Sequence, residues 1–244
     1  MLNKKKEIYI LLEKYKKLLK EGEIIKKNIF EFGRIKLTYN SSSIEGNTLT
    51  EMETKLVIED GISIGNKKVV EIYEVKNHAK ALDFVVNKSE IINENEITKN
   101  IILDIHSLIL QGIDDFNAGK YRNTNVRISG SSVILPNHMK IYDLMLDLEK
   151  WILNYNGDLI DFASELHLKF VSIHPFIDGN GRVARLLFNL VLLIGGFPII
   201  SIKVENREKY LKSLEKAQLT GNIEDYNIFM YDEIIFGLEE IINI

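Results

Sequence analysis

The sequence predicts an all-α protein, mainly a helical bundle, with one short β-hairpin. Apolar residues recur every three or four positions along most of the 244 residues, which is the spacing of amphipathic helices. Two short β-branched runs flank a Ser-Gly-Ser turn at residues 129–131, a hairpin signal in an otherwise helical chain. With 45% hydrophobic and 27% charged residues, the chain has the composition of a globular protein large enough to bury one core.

Helices are predicted wherever the apolar spacing persists. The first covers residues 4–21, where leucines and isoleucines alternate with lysines and glutamates. The others are predicted at 67–88, 96–112, 138–156 and 158–173, from 180 into the next apolar run, from 207 to 221, and on to 242. We divide the chain into N-terminal helices, residues 1–90, and a core, residues 91–244, which together form one compact unit.

The segment TYNSSSIEGNTLTEMETK, residues 38–55, carries two overlapping helix-start signals. Ser42 and Thr48 are each followed three residues later by a glutamate, Glu45 and Glu51, which is the spacing of a capping box. The Gly-Asn pair between the two signals predicts a turn. On local chemistry alone, this segment is therefore a pair of helix caps.

The run from Gly119 to Pro136 differs in character from the rest of the chain. Its β-branched residues on either side of Gly130 predict a hairpin over residues 126–135. From these residues alone, a structural ribbon is a sufficient explanation.

The stretch IHPFIDGNGRVARLLFN, residues 173–189, concentrates the chemistry of the chain. His174 is a candidate base with an ordinary pKa of about 6.5, and Asp178 offers an oxygen ligand to Mg²⁺. Gly179-Asn180-Gly181 opens a helix, and a bent glycine backbone beside unpaired helix N–H groups suits a phosphate. Arg182 and Arg185 share one face of that helix and can both bind phosphoryl oxygens. A base, a metal ligand and a phosphate site this close together predict phosphoryl or nucleotidyl transfer.

The twelve residues HPFIDGNGRVAR, 174–185, closely resemble the signature of the Fic (filamentation induced by cAMP) family of AMP transferases. The resemblance implies the helical Fic fold and transfer of AMP from ATP, with Mg²⁺ or Mn²⁺, to a Ser, Thr or Tyr hydroxyl of a target protein. It makes His174 the catalytic residue and Asp178 the metal ligand, with Asp178, the 179–181 segment and both arginines binding the nucleotide. Removal of AMP from a modified protein by the same site is one alternative, and a non-catalytic nucleotide-sensing module is another.

The resemblance also assigns regions outside the signature. Ser41, Glu45 and Gly46 match the inhibitory motif of many Fic proteins, in which the glutamate pairs with the second arginine of the active-site helix, here Arg185. Because Arg185 cannot hold a carboxylate and the γ-phosphate of ATP together, Glu45 is expected to inhibit the enzyme. The hairpin matches the flap that covers the nucleotide and holds a target segment by strand pairing. Further nucleotide-site residues assigned by the resemblance are Gly130, Ser131 and Ser132 in the flap, and Tyr210 and Gln218 after the signature.

Charge and composition narrow the kinds of partner and the cellular location expected for the protein. A net charge of −4 and a pI near 5.8 argue against a surface built to bind nucleic acid. No apolar run reaches the roughly 20 residues of a membrane span, so no membrane association is expected. The absence of cysteine fits a reducing cytoplasm. The expected partners are ATP and an unidentified target protein bound along the 126–135 hairpin, with auto-modification expected and a homodimer as a possible assembly.

Overall fold

The regular structure of the chain is helical, as the apolar spacing predicts. The computed structural model describes residues 1–243, and no helix among them combines the length and the apolar content that a membrane crossing demands. Over these residues the α-helices, in chain order, are α1 (Leu2–Leu18), α2 (Glu23–Ile44), α3 (Glu51–Glu59), α4 (Val69–Ser89), α5 (Lys99–Leu110), α6 (Ile141–Leu153), α7 (Leu159–Ile173), α8 (Asn180–Ile194), α9 (Arg207–Thr220) and α10 (Glu224–Ile242).

Helix α8 lies at the centre of the fold. It packs against α7, α4, α5 and α2, and its apolar side chains, such as Leu186 and Leu190, are fully buried. Helix α1 packs against α10, and one hydrophobic core extends along the chain from Ile8 to Ile241. The first two turns of α8, which carry residues 180–185 of the signature, are therefore held by helices on several sides.

Helix α2 is a helix that the apolar spacing does not predict. Its buried face mixes apolar Leu37 with polar Thr38 and Asn40, so the hydrophobic period is weak. The buried polar groups are tolerated because they have partners, as where Asn40 Nδ2 donates to Ser201 Oγ at 2.8 Å.

The two predicted helix starts at Ser42 and Thr48 are wrong. Ser42 lies in the last turn of α2, so the first signal marks the end of a helix. Helix α3 follows Thr50, whose Oγ1 accepts from Glu53 N at 3.2 Å while Glu53 Oε2 accepts from Thr50 N at 2.7 Å. This capping box lies two residues beyond the predicted one. Thr48 does not cap α3, and its N–H is instead bound by Glu71 of α4 at 2.8 Å.

The predicted hairpin over residues 126–135 forms no β-strand in the described part of the chain. It is an extended loop with a turn at its tip, where Ser131 N donates to Ile128 O at 3.2 Å and Gly130 has a φ of 77°. Both arms line a cavity of about 750 Å³, and no ladder of hydrogen bonds joins them within residues 1–243. The turn is as predicted, and the strand pairing is not. Residues 124–136 are called the flap below.

Candidate active site

His174 ends α7 in a left-handed conformation, with φ 50° and ψ 60°. Its N–H donates to Phe170 O at 3.0 Å, and the chain then turns sharply into the loop of residues 174–179. A non-glycine residue in this region costs about 1 kcal/mol, so the surrounding contacts must hold it there. The imidazole is thus placed at the C-terminal end of α7, as the sequence analysis predicts.

The loop after His174 is held by hydrogen bonds from the side chains of Asn180 and of His106 in α5. Asn180 Oδ1 accepts from Phe176 N at 3.0 Å, and Asn180 Nδ2 donates to Phe176 O at 2.9 Å. His106 Nδ1 accepts from Gly119 N at 3.0 Å, so its Nε2 is assigned as the donor to Asp178 O at 3.1 Å. The side chain of Asn180 is therefore engaged within the loop, which leaves its backbone N–H for an anion.

The N-terminus of α8 carries donors that lack side-chain acceptors. Gly179 precedes the helix with a φ of 80°, and no side chain caps it, so the N–H groups of the first turn can bind an anion. Arg182 is buried one turn further on, where its Nη2 donates to Asp178 Oδ2 at 2.9 Å and its Nη1 lies 3.5 Å from Glu74 Oε1. Its Nε and Nη1 atoms have no hydrogen-bond partner within residues 1–243. Such orphaned buried donors indicate a place for an anionic ligand.

Arg185 is bound by the end of α2. Its Nε donates to Ser41 Oγ at 2.9 Å, and its Nη2 donates to Ser41 O at 2.8 Å and to Glu45 Oε1 at 2.7 Å. Burial alone would lower the pKa of Arg185, but the Glu45 carboxylate outweighs it and the pKa is raised. A Cβ added at Gly181 would clash with Glu45 Oε1. The Glu45 carboxylate therefore lies against the same helix N-terminus that is predicted to bind phosphate.

The imidazole of His174 is neutral at pH 7. Burial, helped by the nearby positive charge of Arg122, lowers its pKa to about 4, whereas an exposed histidine has a pKa of about 6.5. The ring can therefore accept a proton over the whole neutral range.

A family model matches the part of the chain that carries the 174–185 segment. Residues 96–192 match the Fic/DOC family. The chain carries a Fic domain.

Curated relatives resemble the chain over most of its length. It is 35% identical over 195 residues to "Protein adenylyltransferase Fic" of Nematostella vectensis, an alignment that covers 79% of this chain and 45% of the relative. It is 36% identical over 185 residues to "Protein adenylyltransferase fic-1" of Caenorhabditis elegans, covering 74% of this chain and 36% of the relative. The chain thus spans less than half the length of these curated relatives.

Solved Fic structures share the fold. A Fic domain containing signaling protein from Bacteroides thetaiotaomicron superposes with a TM-score of 0.87 at 27% identity, covering 97% of both chains. Fic-1 of Caenorhabditis elegans (residues 134–508) superposes with a TM-score of 0.86 at 29% identity, over 99% of this chain and 72% of that one. The predicted helical Fic fold is confirmed.

The flap of this Fic domain is tied at its tip to α9. Ser131 Oγ donates to Glu215 Oε1 at 2.9 Å, and Ser132 N donates to the same oxygen at 2.7 Å. Gly130 supplies the turn that brings both residues to α9. The three flap residues assigned to the nucleotide therefore lie together, but their partner in this structure is Glu215. Nothing in the sequence singles out Glu215.

Helix α9 carries Tyr210 and Gln218, the two residues that the resemblance assigns to the adenosine pocket, at different depths. Tyr210 is fully buried, with its hydroxyl 2.8 Å from His167 Nε2, and the other ring nitrogen of His167 lies 2.8 Å from the Tyr226 hydroxyl. Gln218 Nε2 donates to Ser172 Oγ at 3.2 Å and lines a separate cavity of about 430 Å³ between α6, α7 and α9. The structure does not bring Tyr210 and Gln218 into one cavity, and their role at the nucleotide stays a prediction.

Helix α4 adds a carboxylate to the site that the sequence analysis does not assign. Glu74 Oε2 accepts from Asn47 Nδ2 at 2.8 Å, and Glu74 Oε1 is the atom 3.5 Å from Arg182 Nη1. Asn47 Nδ2 also donates to Glu71 O at 2.9 Å, which fixes the turn that follows Glu45. One side chain thus connects the turn that follows Glu45 to helix α8. A contact between α4 and two distant segments leaves no local sequence signal.

Proposed function

We propose that this Fic domain transfers AMP from ATP to a hydroxyl group of a protein. The observation that carries the proposal is the neutral imidazole of His174 beside an α8 N-terminus whose buried Arg182 has an Nε donor without a hydrogen-bond partner within residues 1–243. A base that stays unprotonated at pH 7 and an incomplete anion site are what nucleotidyl transfer requires. The relatives named protein adenylyltransferase support the same reaction here.

In this proposal, the hydroxyl oxygen of the acceptor attacks the α-phosphorus of ATP and gives its proton to the imidazole of His174. The bond between the α-phosphorus and the bridging oxygen breaks, and pyrophosphate leaves with the electron pair. The first-turn N–H groups of α8, Arg182 and Arg185 hold the phosphate oxygens. Catalysis then comes mainly from positioning and from donors already aimed at the developing charge.

Asp178 is the residue that would hold Mg²⁺, or Mn²⁺ in its place. Its carboxylate is exposed at the mouth of the site, and within residues 1–243 no group of three or more His, Cys, Asp or Glu side chains could bind a metal unaided. Mg²⁺ commonly uses one or two carboxylates, water and substrate phosphates, so a single carboxylate beside a phosphate site fits this ion. When bound, the ion would neutralise phosphate charge.

We further propose that Glu45 inhibits the reaction by holding Arg185. The guanidinium is 2% exposed and the carboxylate 40% exposed, so it is Glu45 that can leave while Arg185 stays in place. An Arg185 bound to Glu45 is not available to the outer phosphates of ATP.

The flap is the proposed docking edge for the target protein. Its arms are extended without pairing to each other, and Ile134 on one arm is 94% exposed. An extended target segment could add to such an edge through main-chain hydrogen bonds. A cytoplasmic location and a homodimer stay predictions.

The test is the incorporation of label from ATP into the protein itself, measured in a Glu45→Gly variant. Label on the α-phosphate should be incorporated and label on the γ-phosphate should not. Adding His174→Ala should lower incorporation about 10²- to 10⁴-fold without changing the circular dichroism spectrum. Release of AMP from a pre-modified target, without incorporation, would instead support the reverse reaction. No turnover of ATP at all would leave only a nucleotide-sensing role.

A further inference from the structure

Arg122, two residues before the flap, is a buried cation that binds backbone carbonyls. It is 3% exposed. Its Nε donates to His174 O at 2.8 Å, its Nη1 to Thr124 O at 2.9 Å and its Nη2 to Pro136 O at 2.6 Å. Its backbone N–H donates to Pro175 O at 2.8 Å. Within residues 1–243 no carboxylate pairs with this guanidinium, and burying such a charge is costly, so the three hydrogen bonds to carbonyls are what offsets the cost.

These carbonyls belong to two parts of the candidate active site. His174 and Pro175 begin the catalytic loop, while Thr124 and Pro136 are the two ends of the flap. The planar guanidinium presents its donors in a rigid fork, which lets one side chain hold three carbonyls in fixed relative positions. Lysine, with a single ammonium on a flexible stem, lacks this geometry.

The hydrogen bond from Arg122 Nε to the carbonyl of His174 holds a residue whose backbone is in the strained left-handed conformation. The N–H of His174 is held by Phe170 O, and its carbonyl is held by Arg122. Fixing both groups keeps the residue in the left-handed region that it would otherwise leave. Because the allowed rotamers depend on the backbone conformation, this also restricts the directions in which the imidazole can point.

A second contact joins the same two segments. His106 accepts from Gly119 N and donates to Asp178 O, so the chain that leads into the flap is bound to the catalytic loop at both ends of the 119–122 stretch. The flap base and the loop therefore form one hydrogen-bonded unit.

We propose that Arg122 is a positioning residue that couples the flap to the orientation of His174. A target that pairs with the flap would then meet a base whose direction is set by the same side chain. The catalytic consequence rests on the proposed function, whereas the structural coupling does not.

The structural part is tested by amide hydrogen exchange on the full chain. In Arg122→Met and Arg122→Lys, exchange should become at least about tenfold faster both at the hydrogen-bonded flap amides of Ser131 and Ser132 and at those of His174 and Phe176, because the flap and the loop are released together. The control is Arg127→Met, which removes an exposed arginine of the same flap and should leave both segments unchanged. Unchanged exchange in the Arg122 variants, or loosening of the flap alone, would overturn the coupling.

The catalytic part is tested with the same substitutions combined with Glu45→Gly. AMP incorporation should show a kcat lowered about 10- to 100-fold by the misplaced base, with the KM for ATP changed less than about threefold because α8 still binds the nucleotide. A full kcat in a variant with a loosened flap would overturn the positioning role. If neither the Glu45→Gly chain nor any of its Arg122 variants transfers AMP, the proposed function fails. The hydrogen-exchange data then still decide whether the flap and the loop are coupled.

The unmutated chain gives a third measurement in case the variants do not fold. The flap and residues 173–177 should open together, with the same dependence of amide exchange on low concentrations of urea. Separate openings would overturn the coupling.

Discussion

Replacing Glu45 by glycine should raise AMP transfer and lower the stability of the free protein at the same time. The substitution removes the 2.7 Å ion pair between Glu45 Oε1 and Arg185 Nη2 and leaves Arg185 with Ser41 as its partner. A hydrogen bond between charged groups contributes about 1.5–3 kcal/mol, and the partial exposure of Glu45 favours the lower end of that range.

The faster transfer and the lower stability both follow from the free energy of the pair between Glu45 and Arg185. ATP must break the pair before it can use Arg185, so removing about 1.5 kcal/mol should raise the rate at low ATP about tenfold. The free energy of unfolding should fall by about 1–2 kcal/mol, which lowers Tm by about 2–8 °C in a chain of this size. Saturating ATP should recover more stability in the variant than in the wild type, because its phosphates supply the missing anion.

The assay is incorporation of AMP from α-labelled ATP, together with thermal unfolding with and without ATP. The matched control is Glu51→Gln, which also removes a carboxylate, but one paired with Lys36 at 2.9 Å outside the site. The control should not activate the protein. An unchanged rate in Glu45→Gly with lowered stability would show that Glu45 is only structural, and no change in either would refute the pair itself.

The remaining predictions concern pH and one glycine. Because the pKa of His174 is lowered to about 4, its base form persists below neutrality, and incorporation in the Glu45→Gly variant should vary less than about twofold from pH 8 to 5.5. A decline centred near pH 6.5 would contradict this. Burial lowers the pKa of His78 and of His167 to about 3, so below about pH 6.5 the unfolded chain binds more protons than the folded one. Each histidine should then lower the free energy of unfolding by up to about 1.4 kcal/mol per pH unit as the pH falls. Urea unfolding midpoints that stay constant from pH 7 to 5 would contradict this expectation. Gly181→Ala should displace Glu45 yet fail to activate the protein, because the added Cβ that clashes with Glu45 Oε1 also crowds the phosphate site. Calorimetry should show weakened ATP binding. Activation equal to that of Glu45→Gly would disprove that the Glu45 carboxylate and the phosphate occupy the same position.

The sequence alone determined the placement of functional residues that lie close together along the chain. His174, Asp178 and Arg182 lie within one loop and the first turns of the helix that follows it, so their spacing already places them together. The helices with a regular apolar face were predictable because burial on one side imposes a period on the residues themselves.

Only the tertiary structure decided which distant groups meet. The pairing of Arg185 with Glu45 joins residues 140 apart, and here a resemblance to a known motif, rather than any spacing, made it foreseeable. The bonds from Arg122 to His174, and from Ser131 to Glu215, have no local pattern at all. A hydrogen bond between distant segments leaves no period in the sequence, because its partners are brought together only when the helices pack. The same reason explains why α2 escaped prediction, because its buried polar residues are tolerated only through distant partners such as Ser201. The flap likewise is bound by Arg122 and Glu215, which lie outside it, although its residues favour strands.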